Sequence, residues 1–503
     1  MLSIFATTDK FDQLKEIIQR EHRLEELITF VDLLEQKPVP SANSIMVKQD
    51  EIFPLIDWHN IQPPFLLPES IELNESNFLG LLFAMLNNFE KAYEHLNPSN
   101  APLFLELDFI NRLQQGFPIQ ANELISEYTP FDEYRLMHNN AIIMHYGGRM
   151  DEADLEKTQY FYLEALQCAP NDEYRAFTAR HYALLLIDIG EIKNAERLLK
   201  SAINFAMTED ARVELQQSLC QAWMQHLTVP YDQELLAQLK KMLWDVLQVY
   251  QKQGRSRDEA LLLIDAGIIA NYSESWTESL GYFNRALSIF EKEQLVELAA
   301  NVHYHKGTLF STWAQSGNPQ FYRSAAESYQ KAVKVFNKED APTVYADIQH
   351  QLGIVFSEIP DEIKKKSIWA AVSSSAFQEA LSVYNKDLYP YQYASICNHY
   401  GNALTKYPEA VLSDNYDKAL FYYQEALNIR TAKDYPFERC LTLLNFLEAQ
   451  WNLGMPEDKL EEKRFDVMME KAQEILLITQ DKQLIQDALS HLDKLSKLKE
   501  AYA

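Results

Sequence analysis

Apolar residues recur at helical spacing over residues 9–36, where Leu14, Ile17, Ile18, Leu24 and Leu27 fall on one face, predicting one or two amphipathic helices. The pattern then breaks. Residues 37–75 hold Pro38, Pro40, Pro54, Pro63, Pro64 and Pro68 and predict a long loop. Its apolar stretches "IFPLIDW" and "PPFLL" suggest a loop packed onto the molecule rather than free. From about residue 77 onward the chain reads as helix after helix. The windows 297–310, 344–356, 392–404 and 437–450 align on Gly307, Gly353, Gly401 and Leu447, which are 46, 48 and 46 residues apart. A second ladder, Ala332, Ala380, Ala426 and Ala472, is spaced by 48, 46 and 46. Two ladders with nearly one period indicate a true internal repeat.

These residues resemble the tetratricopeptide repeat family, whose unit is a helix hairpin with small residues where its two helices touch. The best match is "YALLLIDIGEIKNAERLLKSAI" (182–203), with Ala183, Leu186, Gly190, Ala195, Leu199 and Ala202 at the characteristic positions. Residues 79–96 (Gly80, Phe83, Ala92, Leu96) and 263–287 (Ala266, Gly267, Ala270, Phe283, Ala286) match as well. The later repeats are longer by about six residues, because Gly401 to Ala426 spans 25 positions where Ala183 to Ala202 spans 19. The stretch "TKYPEAVLSDNYDKAL" carries the addition. The resemblance implies an all-α fold, a right-handed superhelical α-solenoid of stacked helix-turn-helix repeats. The expected organisation is a helical segment plus Pro-rich loop over 1–76, an array of about eight or nine repeats over 77–480, and a capping helix over 481–503. Residues 211–250 form a degenerate repeat of unassigned alignment.

Composition agrees with helix. Only 13 of 503 residues are Gly, while strand-rich folds need Gly at turns and bulges. The formal charge of −27 would repel phosphate backbones, so no nucleic-acid partner is expected. No run approaches 18 apolar residues, so no membrane span is expected. The four cysteines, Cys168, Cys220, Cys397 and Cys440, form no CxxC pair and suit a reducing, cytoplasmic setting.

Catalytic signatures are missing: there is no Gly-rich phosphate loop, no HExxH and no GxSxG. Neither a cofactor nor a metal is expected. His303 and His305 form an HxH pair, yet on a helix two residues apart point about 200° away from each other and cannot share one ion. The same geometry separates Cys397 from His399 in "YASICNHYGNAL", placing the cysteine on the buried stripe with Tyr400, Gly401 and Leu404. Seven of the twelve histidines, His138, His145, His181, His303, His305, His350 and His399, fall in first helices of repeats. In the family the first helices line a concave groove where ligands bind. Carried over, this marks Tyr304, His305, Thr308, His350, Asn398, His399, Asn402, Asn445 and Glu448 as groove candidates. Their amides and imidazoles suit hydrogen bonds to an extended or helical segment, and the Lys/Asn/Lys/Arg clamp for a terminal carboxylate is absent. The resulting expectation is a non-catalytic scaffold that holds a protein or peptide. The alternatives are a regulatory or sensor subunit of a separate effector enzyme and a peptide-responsive regulator.

Overall fold

In the computed structural model, Leu2, Ile4 and Ala6 alternate on the buried face of a strand rather than starting a helix. The structure describes residues 2–36, 38, 44–59, 64–96, 101–115, 129–147, 151–228, 230–408, 414–453 and 462–502. The described chain divides into two units, Met1–Val249 and Tyr250–Ala503.

The first unit opens with a five-stranded mixed sheet. Its strands are β1 (Leu2–Ala6), β2 (Ile28–Asp32), β3 (Ser44–Lys48), β4 (Glu51–Pro54) and β5 (Ile71–Glu72), in the order β2-β1-β3-β4-β5. β1 runs parallel to both β2 and β3, whereas β3–β4 and β4–β5 are antiparallel. This corrects the helical reading of 1–76. The helix expected over 9–36 is confined to Phe11–Ile18, which buries Leu14 and Ile18. The chain then turns through Arg23, at φ 63°, and enters β2 as "ITFVD", whose β-branched and aromatic residues favour a pleated strand. Leu27 is left 47% exposed, which a continuous amphipathic helix would not have done. The Pro-rich stretch likewise contributes β3, β4 and β5, with Gln49 (φ 53°) in the two-residue turn between Lys48 and Glu51. Its Pro40 and Pro63 lie outside the described residues. Beside the sheet pack Phe11–Ile18 and Glu75–Met85, with Leu14, Ile18, Phe78 and Leu82 in one core with Ile4, Ile45 and Val47.

Helix hairpins account for most of the remainder. The first unit holds Glu75–Met85 with Phe89–His95, Pro130–Tyr146 with Glu152–Cys168, and Asp172–Asp188 with Ile192–Phe205, followed by Glu209–Gln225. The second unit stacks five: Ser256–Tyr272 with Trp276–Lys292, Val296–Gln315 with Phe321–Val333, Pro342–Glu358 with Ile363–Val383, Pro390–Leu404 with Asn415–Ile429, and Pro436–Asn452 with Glu462–Ile478. A last helix, Lys482–Tyr502, packs on the final hairpin and adds Leu484, Ala488 and Leu495 to its core. Proline at the first turn of four of the first helices, Pro130, Pro342, Pro390 and Pro436, presets φ where the N–H has no intrahelical acceptor.

Both ladders are packing contacts. Ala332, Ala380, Ala426 and Ala472 are fully buried. Each ladder glycine lies under a side chain of its own hairpin's second helix. A Cβ on Gly307 would come within 2.6 Å of the Tyr329 ring, on Gly353 within 2.9 Å of Phe377, and on Gly401 within 2.5 Å of Tyr423. Gly267 meets Phe283 and Gly80 meets Leu96 in the same way. The insertion expected within "TKYPEAVLSDNYDKAL" falls between Leu404 and Asn415, and residues 409–413 of it lie outside the described residues.

Candidate binding faces on the first helices

The nine groove candidates sit on four successive first helices of the second unit: Tyr304, His305 and Thr308, then His350, then Asn398, His399 and Asn402, then Asn445 and Glu448. Neighbouring helices are offset by one position, so a residue three before the ladder position meets the one two before it in the next repeat. His350 Nε2 lies 2.8 Å from His399 Nδ1, and Asn445 Nδ2 donates to Asn398 Oδ1 at 3.2 Å. The structure does not join these two pairs by hydrogen bonds to Tyr304, His305 or Thr308.

Thr308 and Asn402 have a different role. Each follows a ladder glycine, and each bonds the phenol seated on that glycine. Thr308 Oγ1 lies 3.0 Å from Tyr329 Oη, and Tyr423 Oη donates to Asn402 Oδ1 at 2.7 Å. Where the seated ring is Phe283 or Phe377, which carries no hydroxyl, the following residue is Ile268 or Ile354. Both phenols are buried, so each hydroxyl needs a partner. Glu448 points outward, 61% exposed in its side chain, with His491 Nε2 of the last helix at 3.3 Å.

Burial keeps the imidazoles of this face neutral. Desolvation lowers His305 and His399 to about 4 and holds His350 well below the usual imidazole range, with the His399 ring pushing His350 the same way. His305 stacks on Phe283 with centroids 6.0 Å apart. His303, on the same helix, has a buried Nδ1 without a hydrogen-bond partner among the described residues. One residue here was missed. Asp265 stands two before Gly267, the offset held by His305 and His399, and burial raises its carboxyl to about 7. The ladder offset itself was the signal that could have found it.

Sequence reasoning also missed a site in the first unit. Leu55–His59 and Pro64–Pro68 form a strap across the first helices Pro130–Tyr146, Asp172–Asp188 and Glu209–Gln225. Asn139 closes both main-chain bonds of Leu66: Leu66 N donates to Asn139 Oδ1 and Asn139 Nδ2 donates to Leu66 O, each at 2.9 Å. His138 Nε2 bonds Pro64 O at 3.0 Å; the carbonyl can only accept, so Nε2 carries the proton. Burial lowers His138 to about 4 and keeps it neutral. Arg180 donates to Trp58 O at 3.1 Å while paired with Glu214 at 2.8 Å. The Trp58 indole donates to Glu173 at 2.9 Å and its ring meets Phe177 edge-on at 5.2 Å. His59 lies 2.9 Å from Asp210. The signals were a tryptophan inside the apolar stretch of a Pro-rich segment and polar His138, Asn139 and Arg180 on first helices.

Among the described residues no group of three or more His, Cys, Asp and Glu side chains could hold a metal ion, and no helix is long and apolar enough to cross a membrane. No protein-family model matches the chain, and no curated protein does. Similar solved structures include a signal-transduction ATPase with a tetratricopeptide repeat sensor from Pyrococcus horikoshii (12% identity, 99% of this chain and 77% of that one, TM-score 0.46). Others are the apo form of RapI (13% identity, 71% and 85%, TM-score 0.43) and the human IFIT1 dimer with PPP-AAAA (13% identity, 85% and 83%, TM-score 0.43). At these identities and scores they assign neither an activity nor a partner to this chain.

Proposed function

We propose that this chain is a non-catalytic protein-interaction module that holds an extended protein or peptide segment against the first-helix faces of its repeats. The observation that supports this reading most is internal. On one such face, Arg180, His138 and Asn139 hold main-chain carbonyls of Trp58, Pro64 and Leu66 through side-chain hydrogen bonds. The face of the second unit offers the same chemistry. In the amide rung, Asn398 spends its Oδ1 and Asn445 its Nδ2 on each other, so each amide retains a second polar atom for a partner's backbone. Asp265 adds a carboxylate suited to a lysine, arginine or amino terminus. Half-buried Tyr304, His305 and His399, with the more deeply set His350, supply aromatic and neutral polar surface around them. Free thiols at Cys168, Cys220, Cys397 and Cys440 fit a reducing compartment such as the cytoplasm.

The test is selection of random displayed peptides on the immobilised full chain, followed by binding to an Asn398→Ala/Asn445→Ala variant. Selected peptides are expected to lose at least tenfold in affinity for the variant, with its helical circular dichroism unchanged. Undiminished binding by all selected peptides would remove the second-unit face from the reading.

A further inference from the structure

Within the first unit the side chains leave a cavity of about 360 Å³. Phe65 lines it from the Pro-rich segment, Leu81 and Met85 from Glu75–Met85, Ile110 from Ala101–Gln114, Phe131 from Pro130–Tyr146 and Phe177 from Asp172–Asp188. Protein interiors are normally filled to crystal-like density, and a void deprives the side chains around it of dispersion contacts. A cavity of roughly 150 Å³ with apolar walls already takes up benzene. The space here is more than twice that, within the range of natural small-molecule pockets. Exposed Asn87 belongs to the lining, so the cavity reaches the surface there.

The lining defines what fits. Apart from Ser44, Asp57, Asn87 and Tyr174, its described residues carry apolar side chains. Phe131 meets Tyr174 edge-on at 5.1 Å, which fixes two of the aromatic walls against each other. Rings set in this way favour another flat ring between them. The half-buried Tyr174 hydroxyl has no hydrogen-bond partner among the described residues and can donate to a guest. Leu55, Ile56 and Leu67 also line the cavity, and their main chain makes no backbone–backbone hydrogen bond among the described residues. No basic side chain is in the described lining, and Asp57 already accepts the His59 amide at 3.0 Å. An anion would therefore find no counter-ion, and burying one unpaired is costly.

We propose that this cavity is a binding site for an uncharged, flat aromatic molecule of two-ring size that carries a hydrogen-bond acceptor for Tyr174. The rings would fill the space between the phenylalanines, and the acceptor would take the phenol proton. This site goes beyond the peptide-holding role proposed above and does not depend on it.

Benzophenone tests the assignment on the full chain. It joins two rings through a ketone, and near-ultraviolet light inserts it into neighbouring C–H bonds, most readily those of methionine. Adducts mapped by mass spectrometry are expected on Met85 at least tenfold above Met207, which is 65% exposed and would win if labelling followed exposure. Excess 2-acetylnaphthalene, a second two-ring ketone, is expected to suppress the Met85 adduct. Labelling that favours Met207, or a Met85 adduct that the competitor leaves unchanged, overturns the proposal. Ala84 also lines the cavity, so Ala84→Phe puts a ring into it and is expected to lower Met85 labelling at least tenfold. Tyr174→Phe deletes a single oxygen and covers the case in which Ala84→Phe fails to fold. It is expected to weaken 2-acetylnaphthalene binding about fivefold, the worth of one hydrogen bond. Unchanged labelling of a folded Ala84→Phe chain, or unchanged affinity of the Tyr174→Phe chain, also overturns the proposal.

Discussion

His350 and His399 meet across consecutive repeats, Nε2 of the first 2.8 Å from Nδ1 of the second, with both rings held neutral by burial. One ring donates and the other accepts, an arrangement that two imidazolium ions cannot keep. Both folded-state values lie below that of an unfolded histidine, so between pH about 6.5 and about 4 the unfolded chain binds more protons. The stability contributed by this pair is therefore fully present above about 6.5 and is lost as pH falls toward 4. Urea unfolding at pH 7 and pH 4.5 measures it. A His399→Asn variant is expected to lose about 1–2 kcal/mol less than wild type across that interval. Equal losses would show that the pair does not control the response.

The Tyr423–Asn402 bond predicts a compensating pair of substitutions. Asn402→Ala removes the amide acceptor of a buried phenol, leaving it the Thr405 hydroxyl alone, and is expected to cost about 1 kcal/mol. Adding Tyr423→Phe removes the hydroxyl, so the double variant Asn402→Ala/Tyr423→Phe seats a ring without a phenol on the glycine, as Phe377 is seated one repeat earlier. It is expected to recover most of the loss. Additive losses in a double-mutant cycle would contradict the role given to Asn402.

Two glycines are expected to respond to alanine with opposite signs. At Gly401 the new methyl meets the Tyr423 ring and is expected to destabilise by about 1–3 kcal/mol. Gly281, exposed within Trp276–Lys292, has nothing within 4 Å of an added Cβ, and Gly281→Ala is expected to stabilise by about 0.5–1 kcal/mol. Shifts in urea midpoint of one sign for both would refute the packing account of the ladder.

Asp265 carries a stability cost that grows with pH. Its folded carboxyl titrates at about 7 against roughly 3.9 unfolded, so the fold is favoured fully below about 3.9 and loses stability as pH rises through 7. Asp265→Asn is expected to raise stability by about 1–2 kcal/mol at pH 8 and to change it little at pH 4. Comparable gains at both values would show that charge is not the cause.

The repeat architecture was legible because one contact recurs at a fixed interval: a second-helix ring seats on each ladder glycine, and the ladder alanine follows that ring three residues on. Charge and cysteine usage added little to that. The sheet was not legible, since "LSIFA", "ITFVD" and "SIMVK" are short apolar runs without strict alternation, and two of β1's partners arrive more than twenty residues downstream. Strand pairing at that distance leaves no local period to read. Of the candidate residues, the sequence identified the right helix and offset but not the partner. Thr308 and Asn402 are explained by phenols one helix away, and only the alternation with Ile268 and Ile354 betrays it. His350 pairs with His399 because neighbouring helices are offset by one position, which no single repeat encodes.

The ring seated on a glycine fixes each hairpin at one point and leaves the rest of its length free. Gly267 and Phe283 are 16 residues apart, whereas Gly307 and Tyr329 are 22 and Gly353 and Phe377 are 24, and the close approach is the same in all three. Residues gained beyond that point lengthen the two helices or their turn without shifting the seam shared with the next repeat. Such an array can accept insertions one hairpin at a time, at the turns, while the spacing of its first helices stays constant. Divergence in length is thereby uncoupled from divergence of the face those helices present.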